Sequence, residues 1–218
     1  MANGKPMANG KPTARRNAER TTRMIMRAAR QEFAKVGYEG ARVDRIAQRS
    51  KLSKGLIYHY FGSKDGLFLA VLEELYAELR EQNDALILED FEPEEGVRRL
   101  ISHTFNYFAD NPEFIVLVNS ENILRGQHVK KSGVISEMFK PLISRLGELV
   151  ERGIAKGIFR EDVDIRDLYV SIVALGYFPL SNRHTLSVVF ERTSRPDGPL
   201  ASRETHIQEL VLGYLRSR

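Results

Sequence analysis

VDRIAQRSKLSKGLIYHYFGSK, residues 43–64, decides the fold. It reads as two short helices joined by a tight turn and followed by a cation. The first runs from Val43 to about Arg49, with Ile46 and Ala47 on its apolar side. Ser50-Lys51-Leu52 is long enough only for a turn. Ser53 stands where a helix N-cap belongs, because its hydroxyl accepts from the free N–H groups of the next turn. The second helix runs from Lys54 to about Tyr60. Helical spacing turns Leu56, Ile57, Tyr60 and Phe61 inward and leaves Lys54, Gly55, Tyr58 and His59 outside. Helix, short turn, helix is the pattern whose second helix enters the DNA major groove by its N-terminal end. Gly55 lets the backbone approach DNA, Lys54 reaches a phosphate or a guanine edge, and Tyr58 and His59 offer polar hydrogens. The alternative reading is a small helical hairpin with an ordinary polar face.

The wider run carries a family resemblance. Phe33-Ala34-Lys35-Val36-Gly37-Tyr38 closes a helix; Ile46-Ala47, Ser53-Lys54-Gly55, Tyr58-His59-Tyr60-Phe61, Lys64 and Leu67 follow. Together, over about residues 20–70, these resemble the N-terminal DNA-binding domain of the TetR family of transcriptional regulators. Two positions depart from the family pattern. Arg42 stands where a capping Ser or Thr is common, and Lys51 where Gly is usual. The second departure implies a left-handed or otherwise strained Lys51, at a cost of about 1 kcal/mol. The resemblance implies DNA contacts from Arg42, Arg45, Lys51, Ser53, Lys54, Gly55, Tyr58, His59, Tyr60 and Lys64, with Tyr60 and Lys64 on phosphate. It also implies a homodimer on a palindromic double-stranded operator and a C-terminal domain that binds a small effector and releases the DNA.

Charge agrees with that reading. The chain carries a formal net charge of +4 over 218 residues. Residues 1–66 hold 15 Lys and Arg against 5 Asp and Glu; the rest hold 18 against 24. A basic head on an acidic body is the footprint of a protein that meets phosphate at one end. There are no cysteines, which excludes a disulfide framework and fits a reducing cytoplasm; the family resemblance implies the bacterial cytoplasm, with nucleoid association when DNA is bound. No apolar run approaches the roughly 18 residues of a membrane span, so no membrane partner is expected.

Along the chain, MANGKP occurs twice in residues 1–12, and residues 1–15 read as a disordered arm. Residues 16–66 read as the head and 67–218 as the body. A first helix fits about Arg16 to Val36, with Ile25, Ala29, Phe33 and Val36 inward, Arg20, Arg23, Arg27 and Arg30 on the other side, some of them near the DNA backbone, and Gly37 as C-cap. Further helices fit Lys64 to about Gln82, Glu94 to Ala109 and residues 113–124. A long one fits about Val129 to Lys156, kinked at Pro141. Asp164 caps the next, to Pro179, apolar nearly all round from Leu168 to Phe178 and so buried on more than one side. Val188-Val189-Phe190 reads as helix end or loop. The last helix spans about Ala201 to Arg216. The expectation is an all-α chain of about nine helices: a three-helix head and a helical body for ligand binding and dimerisation.

No constellation supports catalysis. There is no Walker or Rossmann phosphate loop and no G-x-S-x-G elbow, and the histidines are scattered. No metal or cofactor is expected. A constitutive DNA-packing protein would need only the head and a dimer surface. Against it stand polar clusters in apolar segments of the body, NSENILRG and YFPLSNRHTLS, for which helix ends and a hydrogen-bonded loop are the plain alternative. The body resembles one C-terminal subgroup of the family through ENILRG, GIFR, ALGYF, SNRHTLS and GYLR. In the family arrangement an effector site would draw on His103, Tyr107, Asn119, Asn122, Ile123, Met138, Leu142, Tyr177, Phe178 and His184. Its mix of rings and polar groups suits an aromatic or carboxylate-bearing effector. The resemblance makes the last two long helices the dimer interface, with Leu168, Ile172, Leu175, Ile207, Leu210, Val211, Tyr214 and Leu215.

Overall fold

A computed structural model of the chain describes residues 11–190 and 199–216. They divide into two compact units between Val71 and Leu72.

In the first unit, α1 (Lys11–Gly40) carries the apolar stripe that the head closes over. Its helical path breaks at Gly37, where φ is 69° and a side chain would be strained. Ile25, Ala29 and Phe33 are fully buried; Val36 is not and lies at the surface. α2 (Val43–Ser50) packs on α1 through Ile46. Arg42 precedes it without a capping side-chain bond. Lys51 then takes the left-handed conformation, at φ 57° and ψ 31°, and reverses the chain. Ser53 caps α3 (Lys54–Phe61), its hydroxyl accepting from the Leu56 N–H at 3.2 Å. Ile57 is the buried anchor of α3, while Tyr60, expected inside, is exposed. α4 (Lys64–Asp84) opens with Leu67, Phe68 and Val71, all fully buried. The Phe68 ring sits 4.9 Å from Phe33 and 5.0 Å from Tyr38.

The second unit is built around α5 (Pro93–Asp110), which packs on α8 (Lys140–Ala155), α9 (Ile165–Ser181) and α11 (Pro199–Leu215). Its core joins Val97, Leu100, Ile101 and Phe105 of α5 to Leu146 and Leu149 of α8, Leu168 and Ile172 of α9, and Ile207, Val211 and Leu215 of α11. Each such side chain contributes about 1.5–3 kcal/mol of burial. Asp164 caps α9, accepting from the Arg166 and Asp167 N–H groups. An isolated antiparallel bridge between Phe159 and Arg216 ties the loop after α8 to the end of α11. Among the described residues there is no named strand.

Several expectations change. α1 begins at Lys11, so residues 11–15 are helical instead of part of an arm; residues 1–10 lie outside the described residues. Residues 129–156 form no single kinked helix. A 3-10 turn (Val129–Lys131) and α7 (Ile135–Met138) precede α8, and Pro141 sits in the first turn of α8. There its missing N–H costs nothing, because first-turn N–H groups have no helical partner. Residues 183–189 form a separate helix, α10 (Arg183–Val189), within a stretch read as helix ends and a connecting loop; Val188-Val189 is its end. α9 is buried along one face only: Val170 and Phe178 are exposed. α6 (Pro112–Ile123) matches its expected span closely. No described helix is long and apolar enough to cross a membrane.

Candidate functional site

The exposed side of α3 and its approaches gather most of the head's predicted contacts. Gly55 faces open space: a Cβ built there meets nothing within 4 Å. The protein's own packing therefore gives no reason for glycine at that position. Tyr58 and Tyr60 are 39% and 37% exposed, and His59 stands between them, its ring 5.5 Å from that of Tyr60. Lys54 at the start of α3 is paired with Asp44 of α2 at 2.9 Å. That hydrogen bond, then the Asp44 charge, raises the Lys54 pKa above its ordinary value. Lys64 lies 4.4 Å over the Tyr38 ring, and the Tyr38 hydroxyl donates to Asp65. Arg42 and Lys51 are exposed.

Arg45 and Arg49 are held from below. Glu32 of α1 is 1% exposed and lies 3.5 Å from Arg45 Nη1 and 3.8 Å from Arg49 Nη2. A carboxylate buried this deeply needs charge partners, and the two arginines supply them. Arg49 also donates to Gln31 Oε1 at 3.4 Å. Glu32 was not singled out in the sequence; a lone Glu on the inner side of an otherwise apolar helical face was the available signal.

In the second unit, a cluster of aromatic rings sits between α4, α5, α6, α9 and the loop before α8. Tyr76 packs edge-on to Phe114 at 5.6 Å and to Phe139 at 5.8 Å. Tyr107 meets Phe114 at 5.5 Å, Phe108 meets Tyr177 at 5.5 Å, and Phe139 reaches Tyr169 at 6.3 Å. The Tyr177 hydroxyl donates into a pair of acceptors, Asn119 Oδ1 at 2.8 Å and the Ile115 carbonyl at 3.1 Å. Asn119 in turn donates to Ser181 Oγ at 2.9 Å. Burial, and secondarily Tyr76, pushes the Tyr169 and Tyr177 phenols up to about 12. Burial also raises Tyr76, with the Glu121 charge adding to it. These phenols stay neutral donors at physiological pH.

Next to the rings, Glu121 is a buried carboxylate with every oxygen engaged. Oε1 accepts from the N–H groups of His128 and Val129 at 2.7 and 2.9 Å, and Oε2 lies 2.7 Å from His128 Nδ1. His103 Nε2 is buried with no hydrogen-bond partner, and burial lowers its pKa.

Of the ten effector candidates, Tyr107, Asn119 and Tyr177 belong to this cluster. Tyr107 is buried and donates to the Leu75 carbonyl at 3.4 Å. Leu142 is buried in the core of the unit, and Met138 is half-buried on α7. Four do not converge. Ile123 is 81% and Phe178 57% exposed, and Asn122 and His184 are also at the surface. Asn122 spends its amide on the Val118 carbonyl one turn back. Tyr76, Phe114, Phe139 and Tyr169 were missed because their meeting depends on packing between elements distant in sequence.

The predicted interface residues divide similarly. Leu168, Ile172, Ile207, Val211 and Leu215 are buried within their own chain. Leu210 and Tyr214 are each 47% exposed, and Leu175 is half-buried. With Asp167 and Ser171 these three edge a groove of about 300 Å³ between α9 and α11.

Comparison with known proteins follows this division. The profile "Bacterial regulatory proteins, tetR family" matches residues 25–71, and "Tetracyclin repressor-like, C-terminal domain" matches residues 93–211. The HTH-type transcriptional repressor NicS of Pseudomonas putida is 36% identical across 91% of this chain and 94% of its own length. The HTH-type transcriptional repressor SCO4008 of Streptomyces coelicolor is 31% identical across 74% of this chain and 79% of its own. The solved structure of Bacillus subtilis FadR in complex with stearoyl-CoA shares the fold with a TM-score of 0.63 at 20% identity, covering 88% of this chain and 98% of that one. The chain belongs to the TetR family of transcriptional regulators.

Proposed function

We propose that the protein is a repressor that binds a palindromic operator as a homodimer and leaves it when a small organic molecule enters the second unit. The repressor reading rests on the match to NicS, which runs through head and body alike. In the DNA-reading role, α3 enters the major groove with Lys54, Gly55, Tyr58 and His59 toward the bases. Ser53, Tyr60, Lys64 and the cations Arg42, Arg45 and Lys51 meet phosphate. The observation that carries it is Gly55: an open helical face with no internal need for glycine leaves close approach by a second molecule as its reason. It would act in the bacterial cytoplasm, on the nucleoid when bound.

The effector site is the aromatic cluster around Tyr76, Tyr107, Tyr169 and Tyr177. Stacked and edge-on rings with neutral phenol donors suit a flat aromatic molecule with an acceptor group. His103, one helical turn before Tyr107 on α5 and with its buried Nε2 unpartnered, offers the site a further polar group. The test is selection of bound sequences from a random DNA pool, then a metabolite screen for release from the winner. Titrating the released metabolite with and without operator follows, because linkage requires each to weaken the other by one factor, typically 1–3 kcal/mol. Equal effector affinity in both titrations would exclude ligand-controlled release.

A further inference from the structure

α1 extends well upstream of the family match. That match begins at residue 25, whereas the helix begins at Lys11. The extension adds little to the core: residues 15–24 include no buried side chain. What it carries, together with Arg27 just inside the match, is charge. Arg16, Arg20, Arg23 and Arg27 recur at i, i+4, i+7 and i+11, which at 100° per residue puts all four within a narrow stripe. Ile25 and Ala29 lie on the opposite side of the helix, buried in the head. The four arginines are exposed, and none pairs with a described acid. Arg15 and Glu19, off the stripe, pair with each other at 3.1 Å.

Other surface cations of the chain, in head and body, hold acidic partners: Lys54 pairs with Asp44. Arg80, Arg99, Lys140, Arg160 and Arg216 each hold an acidic partner. Like charges three and four residues apart on a helix repel, at about 0.2–0.5 kcal/mol per pair. A rigid, self-repelling stripe with no intramolecular counter-charge is relieved by a polyanion. Its 11 steps of helix rise span roughly 16 Å, a length that passes about five phosphates of one DNA strand measured along the axis.

We propose that the Arg16–Arg20–Arg23–Arg27 stripe is a second, sequence-independent DNA contact, which grips backbone phosphates flanking the operator half-site. The inference rests on the DNA-binding reading above and extends its footprint. It adds affinity without adding sequence preference, because phosphate contacts carry no base information.

The test uses the full-length chain and the operator obtained by selection, prepared with and without about ten flanking base pairs of arbitrary sequence on each side. Wild type should bind the flanked duplex more tightly whatever the flank sequence. The variant with Arg16, Arg20, Arg23 and Arg27 all changed to Gln should lose that gain, and the exponent of its salt dependence should fall by about 2–4. Changing all four to Lys should keep both. Helix content by circular dichroism and unchanged operator preference establish that the Gln variant remains folded and reads bases. Sequence-selective binding with the flank gain and salt exponent intact in the Gln variant overturns the inference alone. Wild type without affinity for any duplex overturns the DNA-binding reading and this inference with it. Loss of binding to anionic vesicles in the Gln variant, with duplex binding unchanged, assigns the stripe to membrane phosphate and overturns it too.

Discussion

Lys64 Nζ stands 4.4 Å from the centroid of the Tyr38 ring, across the junction between the end of α1 and the start of α4. Tyr38 is in turn fixed by stacking on Phe33 and by its hydroxyl bond to Asp65. The ring therefore aims the ammonium as well as attracting it, by about 0.5–1 kcal/mol at a partly exposed site.

For Lys64, a phosphate contact predicts uniform weakening. Lys64→Ala should lower affinity for operator and unrelated DNA by similar factors and reduce the salt exponent by about one. Tyr38→Leu, which keeps the cation but frees it, should cost affinity while leaving the exponent near wild type. Binding isotherms at four or more salt concentrations measure both. A change of preferred sequence in Lys64→Ala would assign it to the bases instead.

Gly55 separates folding from binding. Because its Cβ position is empty, Gly55→Ala should fold normally, and helix propensity should stabilise it by about 0.5–1 kcal/mol. Affinity for operator should nonetheless fall at least tenfold, since the added methyl meets the DNA. Thermal melting paired with binding measurement checks this. Undiminished affinity would mean that α3 approaches DNA less closely than proposed.

Much of the head was legible because its geometry is written locally. A serine cap, a three-residue turn and an apolar pair at helical spacing fix α2 and α3 within a single stretch. The resemblance, with glycine usual at Lys51, marked that residue as left-handed or otherwise strained, and it is left-handed. The body was less legible. Helical periodicity found the apolar stripe of α11, but the stripe that repeats most regularly is the one that packs inside the chain. Ile207, Val211 and Leu215 are core for that reason, and the side left for a partner is offset toward Leu210 and Tyr214. Pro141 alone could not say whether it kinks a helix or begins one; Ser132-Gly133 and the short α7 decide for a beginning. The ring cluster was invisible, since Tyr76, Phe139 and Tyr169 meet only after α4, the loop before α8 and α9 have packed.

The dimer prediction follows from that offset. Leu210→Glu should leave the fold intact and yield a monomer with weak operator binding, because the side chain is half exposed beside the α9–α11 groove. Val211→Arg, by contrast, buries an unpaired charge in the core and should unfold the second unit, a loss of several kcal/mol. Analytical ultracentrifugation combined with circular dichroism distinguishes the two. A folded, dimeric Leu210→Glu protein would place the interface elsewhere.

The tyrosine cluster makes a prediction about alkaline pH. Tyr169 and Tyr177 ionise near pH 12 in the folded chain, above the ordinary value of 10.0, because burial disfavours the phenolate. A group whose folded pKa is raised contributes fully below its unfolded pKa and loses that contribution as pH rises through the folded one. Stability should therefore hold to about pH 10 and fall from there toward 12. Tyr169→Phe should flatten that decline. Tyr177→Phe should do so less, since its phenol is more open to solvent, but it also leaves Asn119 Oδ1 without its donor. That variant should cost about 1 kcal/mol at neutral pH and weaken effector-induced release while keeping operator affinity. Denaturant titrations from about pH 8 to 12 give the first part, and release assays with the screened metabolite give the second. A Tyr177→Phe protein with wild-type release would remove its hydroxyl from the effector site and leave it a purely structural bond between α6 and α9.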